Sequence, residues 1–337
     1  MNPGLDFLPV LLALVLGTGV VLYVVMDGHT LGIGMLFPFY PDEHDRDLVM
    51  NSVAPFWDGN ETWLVLGGVT LWAGFPLAFA VILPALYIPV LVLLLALIFR
   101  GVAFEFRWVA KPRHRLWDLS FTIGSFLAAF AQGLVVGGML EEIPVRDGQF
   151  AGTAFWWLTP FSIMCGLAVT VGYALLGATW LMLKTGGSVE ERARRLGVPL
   201  LLALLAFIAV VSLWTPLQFP RIAERWFKLP NLLVLAPIPL ATAAFAWLCW
   251  WGIRAGRTVL PFVSGIAIFL LALLGLAVSN LPYIVPPTLT IWDAASHPST
   301  QIFYLVGAAI LIPMILAYMA VVFWLFRGKL KAGEGYH

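Results

Sequence analysis

Residues 79–99 read FAVILPALYIPVLVLLLALIF, an apolar run that contains no charged side chain. A helix needs about 20 such residues to cross the hydrocarbon core of a bilayer. Because the run is continuously apolar rather than alternating, it indicates a helix and not a strand of a barrel. Eight further runs of comparable length lie at 8–26, 53–76, 119–140, 158–183, 197–217, 232–253, 259–281 and 302–326, and the first can continue to Tyr40.

The composition extends this prediction to the whole chain. Of its 337 residues, 61% are hydrophobic and only 11% are charged, with a mean hydropathy of +0.94. A soluble domain carries about a quarter charged residues, because its surface faces water. The sequence therefore predicts an all-α integral membrane protein with about nine transmembrane helices in one polytopic domain, 1–337. Eight of these helices suit two four-helix bundles, with one helix left over. The basic residues are too few and too scattered for a nucleic-acid partner.

The charges of the loops predict the orientation in the membrane. If the N-terminus lies outside, the loops and the tail on the cytoplasmic side hold 15 of the 19 lysines and arginines. Cytoplasmic loops of membrane proteins carry such an excess, so the N-terminus is predicted outside and the C-terminus in the cytoplasm. A cleaved signal peptide begins with Lys or Arg, whereas the first basic residue here is Arg46. The first apolar run is therefore expected to remain as a helix.

Three acidic residues lie within the first two predicted spans. Asp27 stands in VVMDGHTLGIGML, followed by three glycines that let a neighbouring helix approach closely. Asp58 and Glu61, in NSVAPFWDGNETWL, share one helix face, and two close carboxylates cannot both ionise at low cost, so one is expected to hold a proton near neutral pH. A charge in the membrane costs about 2.5–3.5 kcal/mol and indicates a functional site by default. A proton path competes here with structural roles: a hydrogen bond from Asp27 to another helix, or neutralisation of the pair by a basic residue.

Charged residues return in FRGVAFEFR, at the end of the third apolar run. Arg100 and Arg107 can extend to the lipid headgroups, and Glu105 can pair with one of them. A surface anchor explains all three residues, and the alternative is proton entry at Glu105 or contact with a partner. Arg100 is also a candidate for a groove that binds quinone or lipid.

The remaining candidates are aromatic residues, a histidine and two cysteines. Trp57 and Trp63 flank the acidic pair, where they either pack between helices or line the quinone or lipid groove. His29 is the only histidine inside a predicted span, and a haem with two protein ligands needs a second one. It is therefore predicted to be a satisfied core histidine rather than a haem ligand. Cys165 and Cys249 lie far apart in apolar runs and are predicted to be buried, inert thiols without metal-ligand spacing.

Four motifs follow one another along the chain: DGxxLGxGML from Asp27, NSxxPxWDGNExWL from Asn51, RGVAFEFR from Arg100 and PYIVPPTLTIWDAASHPSTQ from Pro282. This series extends from the first predicted helix to the ninth and resembles subunit II of the cytochrome bd-type quinol oxidase family. The segment VVMDG…LFPF is similar to the cyanide-insensitive branch of that family.

The resemblance implies a haem-free subunit without catalytic, haem-binding or metal-binding residues, in the bacterial inner membrane. Its partner would be a subunit I with b-type and d-type haems, and the pair would oxidise quinol and reduce oxygen to water with protons from the cytoplasm. The chain would stabilise subunit I, contribute to proton uptake and bind a quinone or lipid, and the family leaves room for a small single-helix subunit.

Two residues match acids of the family motifs. Asp58 corresponds to the carboxylate assigned to proton conduction, and Asp27 to the acid of the first-helix motif. The family pattern DGFDLG reads DGHTLG here, so His29 and Thr30 replace an aromatic residue and a second acid. The resemblance therefore implies that proton conduction depends more on Asp58 in this chain.

A proton-coupled secondary transporter is the alternative function. Intramembrane acids and helices interrupted by Gly and Pro are typical of that class too. The acids of this chain cluster in one pair of helices and have no counterpart in its later half, which favours the oxidase subunit.

Overall fold

A computed structural model describes residues 6–110 and 114–330. Its helices are α1 (Leu8–Leu36), α2 (Glu43–Asn51), α3 (Trp57–Gly74), α4 (Pro76–Val109), α5 (Arg115–Leu140), α6 (Pro160–Lys184), α7 (Gly187–Gln218), α8 (Pro220–Phe227), α9 (Asn231–Leu235), α10 (Pro237–Arg254), α11 (Val259–Asn280) and α12 (Pro298–Leu325). Within the described residues, eight segments are long and apolar enough to cross a membrane: α1, α4, α5, α6, α7, α9 with α10, α11 and α12. The predicted all-helical membrane fold is confirmed.

The predicted span at 53–76 forms α3, which differs from these eight segments. Its 18 residues rise by about 1.5 Å each, or about 27 Å in all, close to the roughly 30 Å of a hydrocarbon core. Asp58, Asn60 and Glu61 lie in its first two turns and make it less apolar. A ninth crossing by α3 stays a prediction, as does the orientation of the chain.

The first helix extends well beyond its most apolar part, as predicted. After Leu36 a 3-10 turn, Phe37–Phe39, carries the chain to Tyr40. Asp27 is therefore an interior residue of α1, more than two turns from the end of the helix. Its carboxylate must find its partners on neighbouring helices or along α1 itself.

Helix α4 is bent and longer than its apolar run. Leu86 has non-helical dihedral angles (φ −113°, ψ 17°) between Pro84 and Pro89, because a proline ring clashes with the carbonyl four residues earlier and bends the helix. The helix then continues to Val109, ten residues past the predicted end at 99. This extension carries the RGVAFEFR motif into the helical bundle.

The helices pack mainly with their neighbours along the chain. Helix α4 packs on α5, α6 on α7 and α10 on α11, whereas α12 lies against α1 and α3. Helices α1 and α6 meet at Gly32, where a Cβ atom would overlap the carbonyl of Tyr173. The predicted close approach at the glycines after Asp27 is thus observed. Cys165 and Cys249 are buried and unpaired, as predicted.

Two small hairpins lie in the loops that are predicted to be external. Strands β1 (Val145–Arg146) and β2 (Gln149–Phe150) pair through a two-residue turn, and β3 (Tyr283–Val285) pairs with β4 (Leu289–Thr290). Asp147 and Gly148 have φ values of 52° and 74°, the backbone that an Asp-Gly hairpin turn requires. These strands supplement a fold that is otherwise helical.

Candidate functional site

Arg100 of α4 is the centre of a buried charge cluster between α1, α3 and α4. Its Nη1 donates to Asp27 Oδ1 at 2.7 Å and its Nη2 donates to Glu61 Oε1 at 2.8 Å. Thr30 completes the cluster: it accepts a hydrogen bond from Arg100 Nη1 at 3.1 Å and donates to Asp27 Oδ1 at 2.5 Å. The residue that replaces the second acid of the family motif therefore links Asp27 to the arginine.

Exposure to solvent falls stepwise from Asp58 to Asp27. Asp58 is exposed at the start of α3, the Glu61 side chain is 30% exposed one turn later, and Asp27 is 1% exposed. The second carboxylate oxygen of Asp27 is buried and has no hydrogen-bond partner among the described residues. The three predicted acids therefore lie at increasing depth, from the surface of α3 to the interior of the bundle. Only Asp27 and Glu61 bind the same side chain, that of Arg100.

The predicted anchoring of Arg100 and Arg107 at the headgroups is wrong, because both side chains are 0% exposed. The apolar run ends at Phe99, but α4 continues to Val109 and keeps both arginines inside the bundle. The predicted pairing of Glu105 with one of them is not observed either. Glu105 is exposed, and both arginines bind other carboxylates.

Arg107 belongs to a second ionic cluster at the predicted cytoplasmic end of α4. Its Nη1 donates to Asp47 at 2.5 Å and its Nε donates to Asp118 at 2.7 Å. Asp118 also accepts from Arg46 at 3.1 Å, and His114 lies 3.8 Å away. Neither Asp47 nor Asp118 is predicted from the sequence, since both stand in polar segments where a charge is ordinary.

The two tryptophans of the acidic motif occupy different environments. Trp63 is fully buried and its Nε1 donates to the sulfur of Met319 at 3.0 Å. Trp57 is partly exposed and stacks on Phe104, with ring centroids 4.9 Å apart. Since Trp63 and Arg100 have no exposed surface, only Trp57 among the predicted groove residues can face a quinone or a lipid.

His29 lies among aromatic side chains. Its ring is 4.2 Å from that of Trp180 and 5.7 Å from that of Phe262. Nδ1 lies 3.2 Å from the carbonyl of Val25, whereas Nε2 has no partner among the described residues. The predicted core position is observed, but only one ring nitrogen is hydrogen-bonded. Within residues 6–110 and 114–330, no three His, Cys, Asp or Glu side chains are grouped to hold a metal ion.

A row of hydrogen-bonded, uncharged polar side chains begins at Tyr23, one turn before Asp27 on α1. The Gln132 Nε2 donates to the Tyr23 hydroxyl at 3.0 Å, and the Tyr173 hydroxyl donates to Gln132 Oε1 at 2.8 Å. These residues come from α1, α5 and α6. Sequence reasoning missed them because an isolated Tyr or Gln in an apolar run carries no charge that marks it.

The comparisons with known proteins agree with this architecture. The family model for cytochrome bd terminal oxidase subunit II matches residues 8–326. The chain is 28% identical to subunit 2 of the cytochrome bd-I ubiquinol oxidase of Escherichia coli strain K12, covering 94% of this chain and 93% of the relative. It is also 28% identical to subunit 2 of the cytochrome bd ubiquinol oxidase of Bacillus subtilis strain 168, covering 93% and 94%.

A solved structure has the same fold. A chain in the structure of bd oxidase from Geobacillus thermodenitrificans matches with a TM-score of 0.80 at 16% identity, covering 95% of this chain and 98% of that chain. At this identity the match concerns the fold alone. It confirms that the path of the helices is that of a bd oxidase chain.

The fold and the buried charges define a multi-pass, helical membrane protein with an ionic cluster among its first helices. The chain belongs to the cytochrome bd terminal oxidase subunit II family. The resemblance drawn from the motifs is thereby confirmed, as is the predicted location in the bacterial inner membrane. The family match favours the oxidase over the secondary transporter, and the cyanide-insensitive branch stays a prediction.

Proposed function

We propose that this chain is the haem-free subunit that stabilises the haem-bearing subunit I and carries protons toward the oxygen-reducing haem. Protons enter from the cytoplasm near Glu105 or the loop before Asn51, and they pass Asp58 on their way to the partner. Membership of the family makes the chain part of a quinol oxidase complex. Its contribution is to protons and assembly, and the chemistry at oxygen belongs to subunit I.

The observation that supports this proposal most strongly is the stepwise burial from Asp58 through Glu61 to Asp27. A group that exchanges protons with water must be reachable, whereas a group that holds one among helices must be shielded. The series provides both within one turn of α3 and the two ion pairs that Arg100 makes with Glu61 and Asp27. A purely structural ion pair would not need the exposed Asp58.

The start of the path is supported by the contact between α3 and α4. Trp57, next to Asp58, stacks on Phe104, which is next to Glu105. Both carboxylates are exposed on the surface of this chain, so the chain itself does not shield them from protons. The neighbouring turns of the two helices therefore offer an entry for protons at the predicted cytoplasmic side.

The partner is expected to cover the outer face of α3. Val65, Val69 and Trp72 continue the face of Asp58 at helical spacing, and all three are exposed. An apolar face of this kind suits lipid or a membrane partner, and the acid at its end favours the protein partner because a charge is costly in hydrocarbon. Subunit I seated there would place Asp58 at the junction of the two chains.

The haem-free assignment is supported by the histidines. Among the described residues, His29 is the only histidine within the membrane-crossing helices, and the rings of Trp180 and Phe262 pack against it. A bound quinone or lipid is compatible with the exposed part of Trp57. A small single-helix subunit can join the complex on the faces that remain exposed.

The test is Asp58→Asn in the purified complex, measured by haem absorption and quinol-driven oxygen uptake. An amide cannot release a proton, so oxygen uptake is expected to fall by about tenfold or more at unchanged haem content. Asp58→Glu should restore part of the rate, and Glu224→Gln, the same chemical change at an exposed acid of α8, should leave it unchanged. Full haem content together with full turnover in Asp58→Asn would refute the proton role.

A further inference from the structure

A cleft between α7 and α10, far along the chain from the proton path, has no role in the proposed function. It has a volume of about 530 Å³ and lies at the predicted cytoplasmic end of both helices. The lining side chains are Glu191, Arg194, Arg195, Val198, Ile253 and Arg254. Three positive charges face one negative charge there, so the cleft attracts anions.

Arg194 is already held by the protein. Its guanidinium donates to Glu190 at 2.7 Å and to the carbonyl of Ile253 at 2.9 Å, at the end of α10. Glu190 balances its charge, so Arg194 forms a fixed wall of the cleft and has little capacity left for a ligand.

Arg195 and Arg254 are free to bind an anion. The Arg195 side chain is 79% exposed, and it is 3.5 Å from Glu191, which is almost as exposed. Such a surface pair contributes little energy. Arg254 lies over the ring of Trp250 at 5.7 Å, and no carboxylate within residues 6–110 and 114–330 pairs with it. Two exposed guanidinium groups on opposite helices thus face the same cleft.

Toward the membrane, the same two helix faces become apolar. Val198 and Leu202 continue the Arg195 face of α7, and Trp250 and Trp247 continue the Arg254 face of α10. Leu202 and Trp247 are 58% and 60% exposed. Tryptophan is typical of the membrane–water interface. The surface is therefore basic at the helix ends and apolar farther into the membrane. This order matches the charged headgroup of a lipid followed by its acyl chains.

We propose that this cleft binds an anionic phospholipid. Its phosphate lies between Arg195 and Arg254, and its acyl chains extend along Leu202 and Trp247. Basic pockets between helices on the cytoplasmic side recognise lipid phosphates, and guanidinium groups suit phosphate oxygens. A free phosphate would use the arginines alone, whereas the exposed apolar faces below them match only a lipid.

The test compares binding of three probes to the delipidated, detergent-purified oxidase complex: phosphatidylglycerol, phosphatidylcholine and inorganic phosphate. Native mass spectrometry gives the affinity for each lipid, and the thermal midpoint of the complex reports stabilisation by each probe. Phosphatidylglycerol is expected to bind more tightly than phosphatidylcholine and to raise the midpoint, and inorganic phosphate to have no effect. A response to inorganic phosphate equal to that of the lipid would overturn the assignment to lipid.

Variants locate the site. Each substitution, Arg195→Gln or Arg254→Gln, should weaken phosphatidylglycerol binding about fivefold, whereas Arg115→Gln, an exposed arginine on the same predicted side, should not change it. Glu191→Gln removes the competing carboxylate and should tighten binding about threefold, a gain that damage to the fold cannot produce. Unchanged affinity in the double variant Arg195→Gln, Arg254→Gln would refute the proposal.

Discussion

Arg100 binds two carboxylates from two other helices while its own side chain has no exposed surface. Breaking a buried ion pair by removing one partner leaves an uncompensated charge, which is far more destabilising than the pair itself is stabilising. With both acids ionised, the three side chains carry one net negative charge. The arginine thus supplies the opposite charge for Asp27 at a buried site where an unpaired carboxylate would be costly.

Arg100→Met is expected to destabilise the complex by about 3–5 kcal/mol, because Asp27 stays buried without a cation. The thermal midpoint and the yield of haem-bearing complex measure this loss. Arg100→Met combined with Asp27→Asn should recover much of it, since the buried charge is then absent. If the single variant is as stable as the unmodified protein, Arg100 does not compensate Asp27.

Helices α1 and α6 touch through their backbones at Gly32 and Gly177. A Cβ on Gly177 would lie 2.5 Å from the carbonyl carbon of Gly32, so neither position has space for a side chain. Backbone contact of this kind is typical of small residues in membrane helices. It therefore fixes how closely α1 and α6 approach each other.

Gly32→Ala is expected to destabilise the protein by about 1–3 kcal/mol, because the new methyl group meets backbone that cannot rotate away. The control on the same helix is Gly17→Ala, where a Cβ meets nothing within 4 Å. That change should be neutral or stabilise by up to about 1 kcal/mol through helix propensity. Thermal midpoints of both variants measure the difference, and equal effects would contradict the backbone contact.

A pH-dependent contact connects the end of α5 with the start of α6, on the predicted external side. Glu141, just after α5, accepts a hydrogen bond from Thr159 Oγ1 at 2.6 Å. Burial raises the pKa of Glu141 above its usual value, although hydrogen bonds from Thr159 and Gln218 oppose the shift. The folded state therefore favours the protonated acid. The stability that this gives is present at low pH and is lost as pH rises through the raised pKa.

Glu141→Gln carries a neutral side chain at every pH, so it should match the unmodified protein near pH 4 and exceed it in thermal midpoint by pH 7. Midpoints measured at steps between these values test the trend. Glu224→Gln, an exposed acid on α8, should show no such divergence. A constant difference across the range would mean that Glu141 does not titrate in it.

The sequence predicts the helices well and the ionic contacts poorly. Apolar length alone identifies eight crossing segments, and the motifs name Asp27, Glu61 and Arg100 as unusual residues. It allows a basic residue as a partner of the acids but does not identify Arg100, because Arg100 lies 73 positions from Asp27 and side-chain direction depends on how α4 packs. The prediction for Arg100 is wrong for one reason: α4 continues ten residues past the end of its apolar run.

At the scale of the whole molecule, hydrogen bonds connect the segment after α12 with the end of α6, in the middle of the chain. Lys184, at the end of α6, donates to the carbonyl of Phe326 at 2.5 Å, just after α12. The backbone of Leu330 donates in return to the Lys184 carbonyl at 2.8 Å. A lysine near a helix C-terminus satisfies the last carbonyls of that helix. Here it joins two helices that are distant in sequence.

Lys184→Met should loosen the segment after α12. A hydrogen bond from a charged group contributes about 1.5–3 kcal/mol, so trypsin cleavage after Arg327 and Lys329 is expected to accelerate about tenfold or more when local opening limits it. Mass spectrometry of the released fragments measures the rate. Lys228→Met, an exposed lysine, should leave it unchanged, and an equal rate in Lys184→Met would show that the contact does not hold the tail.

The one-turn spacing of Asp58 and Glu61 has an electrical consequence. Three residues of helix correspond to about 4.5 Å, roughly a seventh of a hydrocarbon core of about 30 Å. One charge that crosses a whole membrane at 100 mV gains or loses about 2.3 kcal/mol, so a proton passing between these two acids would sense only about 0.3 kcal/mol. This is below the thermal energy of about 0.6 kcal/mol. A fully energised membrane would therefore hardly slow that transfer, and any voltage dependence of turnover must arise elsewhere in the complex.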